Sequence, residues 1–128
     1  MAATLGINHI TFAVFDLERA MDFYVSCLGM RLIKVFERGA YLLSGDLWIC
    51  LSLDEKARKS MMQDYTHVAF DVSDSEFYDL QSKLEKFGVH KWKDNHSEGK
   101  SFYFLDPDNH KLEIHVGTLE TRLKSMEV

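Results

Sequence analysis

Residues 9–16, HITFAVFD, recur 58 positions later as HVAFDVSD at residues 67–74, and this repeat decides the fold. Each copy has the two-residue alternation of a half-buried strand. A stretch with helical spacing follows each copy, at residues 17–28 and 76–87. Each stretch is followed by a glycine, Gly29 or Gly88, at a position that suits a left-handed C-terminal cap. The shared order of strand, helix and glycine favours an internal duplication over chance similarity.

Beyond the two glycines, each half continues with apolar or alternating segments, at residues 39–52 and 101–116. Turn signals interrupt them at SGD, residues 44–46, and DPDN, residues 106–109. The sequence therefore predicts an α+β fold of two βαβββ modules, a cupped mixed sheet with helices on its outside. We place module one at residues 5–53, a charged linker at 54–64, module two at 65–117 and a short helical tail at 118–128, all in one domain spanning 1–128.

Composition narrows the possible functions. A chain of 128 residues with 46% hydrophobic residues can bury one compact core. Its net charge of -5 argues against a nucleic-acid surface, so any anion site must be built locally by a few cations. Cys27 and Cys50 are far apart in sequence, and we find no segment typical of export or of a bilayer span. We expect a reduced, cytoplasmic protein that binds neither nucleic acid nor membrane.

Strand parity brings three potential metal ligands to one face. The apolar residues of the strands near residues 9–14, 67–72 and 112–116 share one side, which leaves His9, His67 and Glu113 on the other. Two neutral imidazoles and one carboxylate suit a divalent cation with open coordination positions. The other histidines lack this agreement and are predicted to lie at the surface or to support the ligands from outside: His90, His96, His110 and His115.

The duplication would allow two ligands per module. However, the part of module one that matches Glu113 is WICL, residues 48–51, which supplies neither a carboxylate nor an imidazole. A coordination position is therefore predicted to be left for substrate.

These motifs together resemble the vicinal-oxygen-chelate superfamily of glyoxalases, bleomycin-resistance proteins and dioxygenases. Within it, the chain is most similar to the manganese-dependent fosfomycin-resistance glutathione transferases. The similarity runs through NHITFAV at 8–14, GAYL at 39–42, GDLWICLSL at 45–53, DYTHVAF at 64–70 and the long segment WKDNHSEGKSFYFLDPDNHKLEIHVGTLETRL at 92–123. It implies an enzyme that adds the thiol of glutathione to the epoxide of fosfomycin, with Mn2+ held by His9, His67 and Glu113.

The resemblance also implies substrate contacts. It places five residues at the fosfomycin phosphonate, namely Thr11, Lys93, Ser97, Tyr103 and Arg122. It places Tyr41, Trp48 and Cys50 near the thiol channel and makes Tyr65 a further substrate contact. Tyr41 and Thr11 are the expected catalytic residues, and Tyr41 is expected to hydrogen-bond the incoming sulfur.

A potassium ion and a dimer follow from the same resemblance. The expected potassium loop offers oxygens from Asn95, Ser97, Glu98, Gly99 and Ser101. In a homodimer, His9 would come from one chain, and His67 with Glu113 from the other.

Four other activities stay open on the sequence. Within fosfomycin resistance, the enzyme could hydrate the epoxide or use another thiol, although no carboxylate base aimed at water is evident. The same ligand set suits ferrous iron in a ring-cleaving dioxygenase, but Lys93 and Arg122 fit an anionic substrate better than a neutral aromatic one. A drug-binding protein without turnover is the fourth reading, and it has little use for an open Lewis acid.

Overall fold

The computed structural model describes residues 3–127 and divides the chain into two compact units, one ending at Lys59 and the other beginning at Ser60. Each unit contains one four-stranded mixed sheet, and the two sheets have the same strand order. The predicted α+β fold of two βαβββ modules is therefore confirmed. Within residues 3–127, no helix has both the length and the apolar character required to cross a bilayer.

Unit 1 begins with strand β1, His9–Val14, and helix α1, Leu17–Met21, which continues as a π-helical segment, Asp22–Cys27. Strands β2, Arg31–Phe36, β3, Gly39–Ser44, and β4, Leu47–Leu53, follow. Their order in the sheet is β1-β4-β3-β2, with β1 and β4 parallel and the other pairs antiparallel. Helix α1 begins at its N-cap Asp16, whose carboxylate accepts the backbone N–H of Arg19 at 3.0 Å.

The two faces of sheet 1 differ as strand parity predicts. Phe12 and Val14 are buried on the apolar face, where the Phe12 ring stacks on Tyr24 from the π-helical segment at 5.3 Å. His9 and Thr11 of the same strand are exposed on the opposite face. Burial of alternate side chains thus fixes which residues of β1 remain accessible.

Unit 2 repeats this order. It comprises β5, Val68–Asp71, α2, Phe77–Phe87, β6, Lys91–Lys93, β7, Lys100–Leu105, β8, Lys111–Val116, and α3, Leu119–Ser125. The strands lie in the order β5-β8-β7-β6, and β5 and β8 are parallel. Thr118 caps α3 through a reciprocal pair of hydrogen bonds with Thr121.

Several predicted boundaries differ from the structure. Gly29 and Gly88 adopt the expected positive φ, at 77° and 95°, but the helix before Gly29 is α-helical only as far as Met21. His67 lies immediately before β5 rather than inside a strand. The bounds of β2 and β6 were not predicted, and Val128 of the predicted tail lies outside the described residues. The module and linker boundaries stay a prediction.

The register of the two sheets aligns them residue by residue. Thr11 pairs with Cys50 in unit 1, and its repeat counterpart Ala69 pairs with Glu113 in unit 2. Cys50 therefore occupies in unit 1 the position that Glu113 occupies in unit 2. Continuing across the strands gives two matching rows: the unit 1 row is Thr11, Cys50, Tyr41 and Lys34, and the unit 2 row is Ala69, Glu113, Tyr103 and Lys93.

Candidate functional site

Unit 2 brings together two of the three predicted metal ligands. The Nε2 atom of His67 lies 2.9 Å from Oε1 of Glu113, although 46 residues separate them. The parallel pairing of β5 with β8 produces this contact, because His67 directly precedes β5 and Glu113 lies within β8. Glu113 is 6% exposed, which is unusual for a carboxylate without a cationic partner. His67 and Glu113 therefore form the polar centre of unit 2.

The hydrogen bonds of His67 suit it to bind a metal. Its Nδ1–H donates to the backbone carbonyl of Tyr65 at 2.8 Å, which leaves the Nε2 lone pair facing the Glu113 carboxylate. A proton on Nε2 or a metal cation must therefore lie between the two groups. Ligands bound at about 2.1 Å in adjacent octahedral positions are about 3 Å apart, and the observed 2.9 Å matches that separation. His67 and Glu113 thus fit a divalent cation.

The second oxygen of Glu113 is held by a network that extends to α3. Ser101 Oγ–H donates to Glu113 Oε2 at 2.6 Å, and the same hydroxyl oxygen lies 2.6 Å from Nδ1 of His115. On its other side, His115 Nε2 faces Glu98 Oε1 at 3.7 Å. Arg122 Nε–H donates to that same Glu98 oxygen at 3.1 Å. This network fixes one Glu113 oxygen and leaves Oε1 directed at His67.

Aromatic rings surround His67, and lysine ammonium groups lie over them. Tyr65, Trp92 and Tyr103 lie 4.8, 5.3 and 6.0 Å from the imidazole, measured between ring centroids. The Lys93 ammonium lies 4.7 Å from the centre of the Tyr103 ring and 5.8 Å from that of Tyr65. Lys93 is therefore a candidate for the locally built anion site that the sequence predicts.

The acidic neighbour of Lys93 forms its ion pair with another lysine. The Asp94 carboxylate lies 2.7 Å from Lys91 Nζ, and this hydrogen bond and its charge lower the pKa of Asp94. The Lys93 ammonium instead donates to the Asp94 backbone carbonyl at 3.2 Å. Within residues 3–127, no carboxylate forms an ion pair with Lys93.

The predicted potassium loop is a closed turn beside β8. Asn95 Nδ2–H donates to the Gly99 carbonyl at 2.9 Å, and Asn95 Oδ1 accepts the N–H and hydroxyl of Ser97 at 3.0 and 2.9 Å. Gly99 has a φ of 79°, and a Cβ there would lie 2.5 Å from the Val116 carbonyl oxygen. The loop can adopt this tight path only with glycine at position 99.

Unit 1 gathers a second set of predicted residues on the accessible face of its sheet. His9 Nδ1–H donates to Asn8 Oδ1 at 2.8 Å, so its Nε2, like that of His67, carries the lone pair. The His9 ring stacks on Trp48 at 4.4 Å, and Trp48 contacts Tyr41 edge-on at 5.3 Å. Cys50, 8% exposed, lies between Thr11 and Tyr41 in the unit 1 row.

Comparison with known proteins decides the family. The family model described as the Glyoxalase/Bleomycin resistance protein/Dioxygenase superfamily matches residues 6–114, which is most of the chain. This chain belongs to that superfamily. The resemblance to the vicinal-oxygen-chelate superfamily, drawn from motifs along nearly the whole chain, is thereby confirmed.

Three relatives refine the position within the superfamily. A glutathione transferase FosA from Serratia marcescens is 52% identical over 120 residues, covering 92% of this chain and 85% of the relative. A metallothiol transferase FosB from Shouchella clausii is 37% identical, with 95% and 87% covered. A crystal structure of the fosfomycin resistance protein FosX from Listeria monocytogenes, complexed with Mn(II) and sulfate, is 31% identical, has a TM-score of 0.81 and covers 98% of this chain and all of that one.

The predicted site residues of this chain fall into two groups, one in each unit. Unit 2 places the metal pair together with Tyr65, Lys93, Tyr103 and Ser101, and it brings Arg122 to the network through Glu98. Unit 1 places His9, Thr11, Tyr41, Trp48 and Cys50 on one face. Within the described residues of each unit, no three His, Cys, Asp or Glu side chains form a metal-ligand set by themselves. The assignment of His9, His67 and Glu113 as metal ligands stays a prediction.

The sequence left open whether His115 lies at the surface or supports the ligands from outside, and the contacts of His115 agree with the second role. His115 is half-buried and contacts Ser101 Oγ, which in turn holds Glu113. Strand parity contained the signal, because His115 is two residues beyond Glu113 on β8 and thus shares its face. His110, predicted to lie at the surface or to support the ligands, is buried in the turn between β7 and β8, where its N–H donates to Asp106. His90 and His96 are exposed as predicted.

Proposed function

We propose that this protein inactivates fosfomycin by metal-dependent addition of the thiol of glutathione to the epoxide, and that it thereby gives antibiotic resistance. The single observation that carries the proposal is the part-buried His67–Glu113 pair, 2.9 Å apart, with the Lys93 ammonium over the neighbouring Tyr103 ring. A Lewis-acid site next to a cation suits a substrate that carries both an epoxide oxygen and an anionic group. The 52% identity to a glutathione transferase FosA supports the same activity.

His9, His67 and Glu113 would hold Mn2+, with other divalent ions possible. A bound divalent cation supplies Lewis acidity that polarises the C–O bond of the epoxide. The protein's part is to keep both imidazoles in the Nδ1–H form through Asn8 and Tyr65, so that Nε2 is the ligating atom. The FosX structure, which contains Mn(II), supports the choice of metal.

The phosphonate is bound by hydroxyl groups and cations. Lys93, whose ammonium lies over the Tyr103 ring, contacts the phosphonate together with Tyr103. Ser97 of the loop and Arg122 of α3 supply a further hydroxyl and a further cation. Thr11 contributes a further hydroxyl from the unit 1 row. Holding the substrate so that one epoxide carbon faces the sulfur can lower a barrier by ~7 to 11 kcal/mol in favourable cases.

The thiol reacts from the side of Tyr41, Trp48 and Cys50. The Tyr41 hydroxyl hydrogen-bonds the sulfur and favours thiolate over thiol. In the reaction, a C–S bond forms at one epoxide carbon and the C–O bond at that carbon breaks. The thiol proton ends on the released oxygen, so the product is a hydroxyphosphonate thioether and no redox partner is needed.

Three features accompany this function. The closed loop of Asn95, Ser97, Glu98, Gly99 and Ser101 binds K+ through its side-chain and backbone oxygens. The protein is a homodimer, in which His9 of one chain and His67 with Glu113 of the other complete the ligand set. We place it in the cytoplasm, where a glutathione pool is maintained; both cysteines are free and buried, in keeping with a reducing compartment.

The test is a turnover assay with fosfomycin, glutathione and Mn2+, paired with Mn2+ binding followed by electron paramagnetic resonance. Glu113→Gln is expected to lose both turnover and high-affinity Mn2+ binding, whereas Glu85→Gln, an exposed control on α2, keeps both. No thioether from the wild-type chain, or full activity in Glu113→Gln, overturns the proposal.

Product analysis separates the rival activities in the same experiment. A diol formed without thiol indicates epoxide hydration, and a faster reaction with another thiol changes the donor but keeps the transferase chemistry. Oxygen uptake with catechols and ferrous iron indicates a dioxygenase. Protection that stops at one drug molecule per site indicates a binding protein.

A further inference from the structure

Lys34 of strand β2 occupies in unit 1 the position that Lys93 occupies in unit 2. Lys34 pairs with Tyr41 across the sheet, just as Lys93 pairs with Tyr103. Both edge strands also carry a register irregularity at the residue before that lysine. Because pairing and irregularity agree, the two lysines are structural counterparts rather than incidental surface charges.

The surroundings of Lys34 suit the capture of an anion. Residues that pair directly across antiparallel strands share a face, so Lys34 projects on the side of Tyr41, Trp48 and Cys50. Lys34 is exposed on an edge strand, and within residues 3–127 its ammonium has no carboxylate partner. In a chain of net charge -5, an unpaired cation next to the face of the proposed thiol site is available to a ligand.

We propose that Lys34 binds a carboxylate of glutathione and so makes this enzyme selective for an anionic tripeptide over small neutral thiols. This inference rests on the proposed function. If Tyr41 contacts the sulfur, the Cβ of Lys34 lies about 5 Å from the Cβ of Tyr41, on the neighbouring strand. A tripeptide can span up to about 10 Å, so either terminal carboxylate of glutathione can reach the ammonium. Lys93 then serves the phosphonate and Lys34 serves the thiol.

Steady-state kinetics of Lys34→Gln, Lys34→Arg and the exposed unit 1 control Lys56→Gln test the assignment. In Lys34→Gln, the KM for glutathione is expected to rise about five- to tenfold, equivalent to about 1 to 1.4 kcal/mol, while the KM for fosfomycin stays within twofold. The rise should shrink at high salt, because exposed charges are screened. Lys34→Arg and Lys56→Gln should stay close to wild type. With 2-mercaptoethanol, which lacks a carboxylate, Lys34→Gln and wild type should have the same KM.

Each contrary outcome has a definite meaning. An unchanged KM for glutathione in Lys34→Gln overturns the proposal. An equal rise with 2-mercaptoethanol, or a fall in kcat with KM unchanged, shows that Lys34 acts on Tyr41 instead of on a carboxylate, and also overturns it. A rise in the KM for fosfomycin assigns Lys34 to the phosphonate and rejects the thiol assignment.

A binding experiment separates this inference from the proposed function. S-methylglutathione, which cannot react, is titrated by calorimetry into the Mn2+-loaded protein without fosfomycin. Weaker binding to Lys34→Gln than to wild type supports the carboxylate contact even if fosfomycin is not turned over. Equal binding to both proteins, or no binding to wild type, rejects the contact, and turnover of fosfomycin by wild type would still uphold the proposed function.

Discussion

Removal of the Ser101 hydroxyl tests whether the network behind Glu113 positions a metal ligand. In Ser101→Ala, Glu113 Oε2 loses its 2.6 Å hydrogen bond, and His115 loses the hydroxyl oxygen that links it to the carboxylate. A hydrogen bond to a charged group contributes about 1.5 to 3 kcal/mol. Loss of such an outer partner typically lowers metal affinity about 10- to 100-fold. We therefore expect Mn2+ binding to weaken by about one to two orders of magnitude.

The measurement is the Mn2+ dissociation constant, obtained by electron paramagnetic resonance in potassium-free buffer so that the proposed potassium loop does not contribute. Ser73→Ala, an exposed serine of unit 2, is the control and should bind Mn2+ as wild type does. Thermal melting of both variants without metal shows whether the site or the whole fold has changed. A Mn2+ affinity within twofold of wild type in Ser101→Ala would refute the positioning role.

Three further predictions concern the loop, the thiol and a charge pair. Gly99→Ala is expected to lower the unfolding free energy by more than about 2 kcal/mol, since its Cβ would meet a backbone carbonyl oxygen of β8 at 2.5 Å. Gly45→Ala is the control: Gly45 has a φ of 59° but open space around its Cβ position, so the loss should be only about 1 kcal/mol. Urea denaturation measures both values. Tyr41→Phe should slow turnover about 10- to 100-fold at saturating glutathione, the effect of one hydrogen bond to a charged sulfur, and an unchanged kcat would remove Tyr41 from the mechanism. The hydrogen bond to Asp74 raises the pKa of Lys100 above its ordinary 10.5. The stabilisation is therefore complete below pH 10.5 and is lost as the pH rises through the raised value. In Asp74→Asn, an NMR titration should find a lower Lys100 pKa than in wild type.

Two kinds of sequence pattern predicted most of the fold. Alternation in HITFAVFD gave the buried and accessible faces of β1, and the repeat at residue 67 carried the result to unit 2. The glycines that follow the helical stretches located both caps, because the left-handed residue after a helix is usually glycine. These features depend only on neighbouring residues, so they can be read without knowledge of tertiary contacts.

The features that escaped prediction depend on pairing between distant strands. Every residue of β2 is exposed, so no alternation marks its ends. The π-helical segment before Gly29 cannot be distinguished by spacing from an ordinary helix. The sequence matched Glu113 to residues 48–51, but the choice of Cys50 among them requires the register of β4 and β8. The contact of His115 with Ser101 requires that of β7 with β8.

The register also explains how a duplicated fold can serve a reaction with two different substrates. The two rows keep a tyrosine and a lysine at matching positions, but the unit 2 row has a carboxylate where the unit 1 row has Cys50. Unit 1 contains one histidine, His9. The unit 1 row has no acidic residue, so it offers no counterpart of the Glu113 carboxylate that contacts His67 in unit 2. The common tyrosine and lysine can then take different anions, a phosphonate in unit 2 and a thiol peptide in unit 1. On the proposed assignments, the presence of Cys50 in unit 1 where unit 2 has Glu113 is the difference that separates the two roles. Cys50→Glu should then slow thiol addition more than it weakens Mn2+ binding.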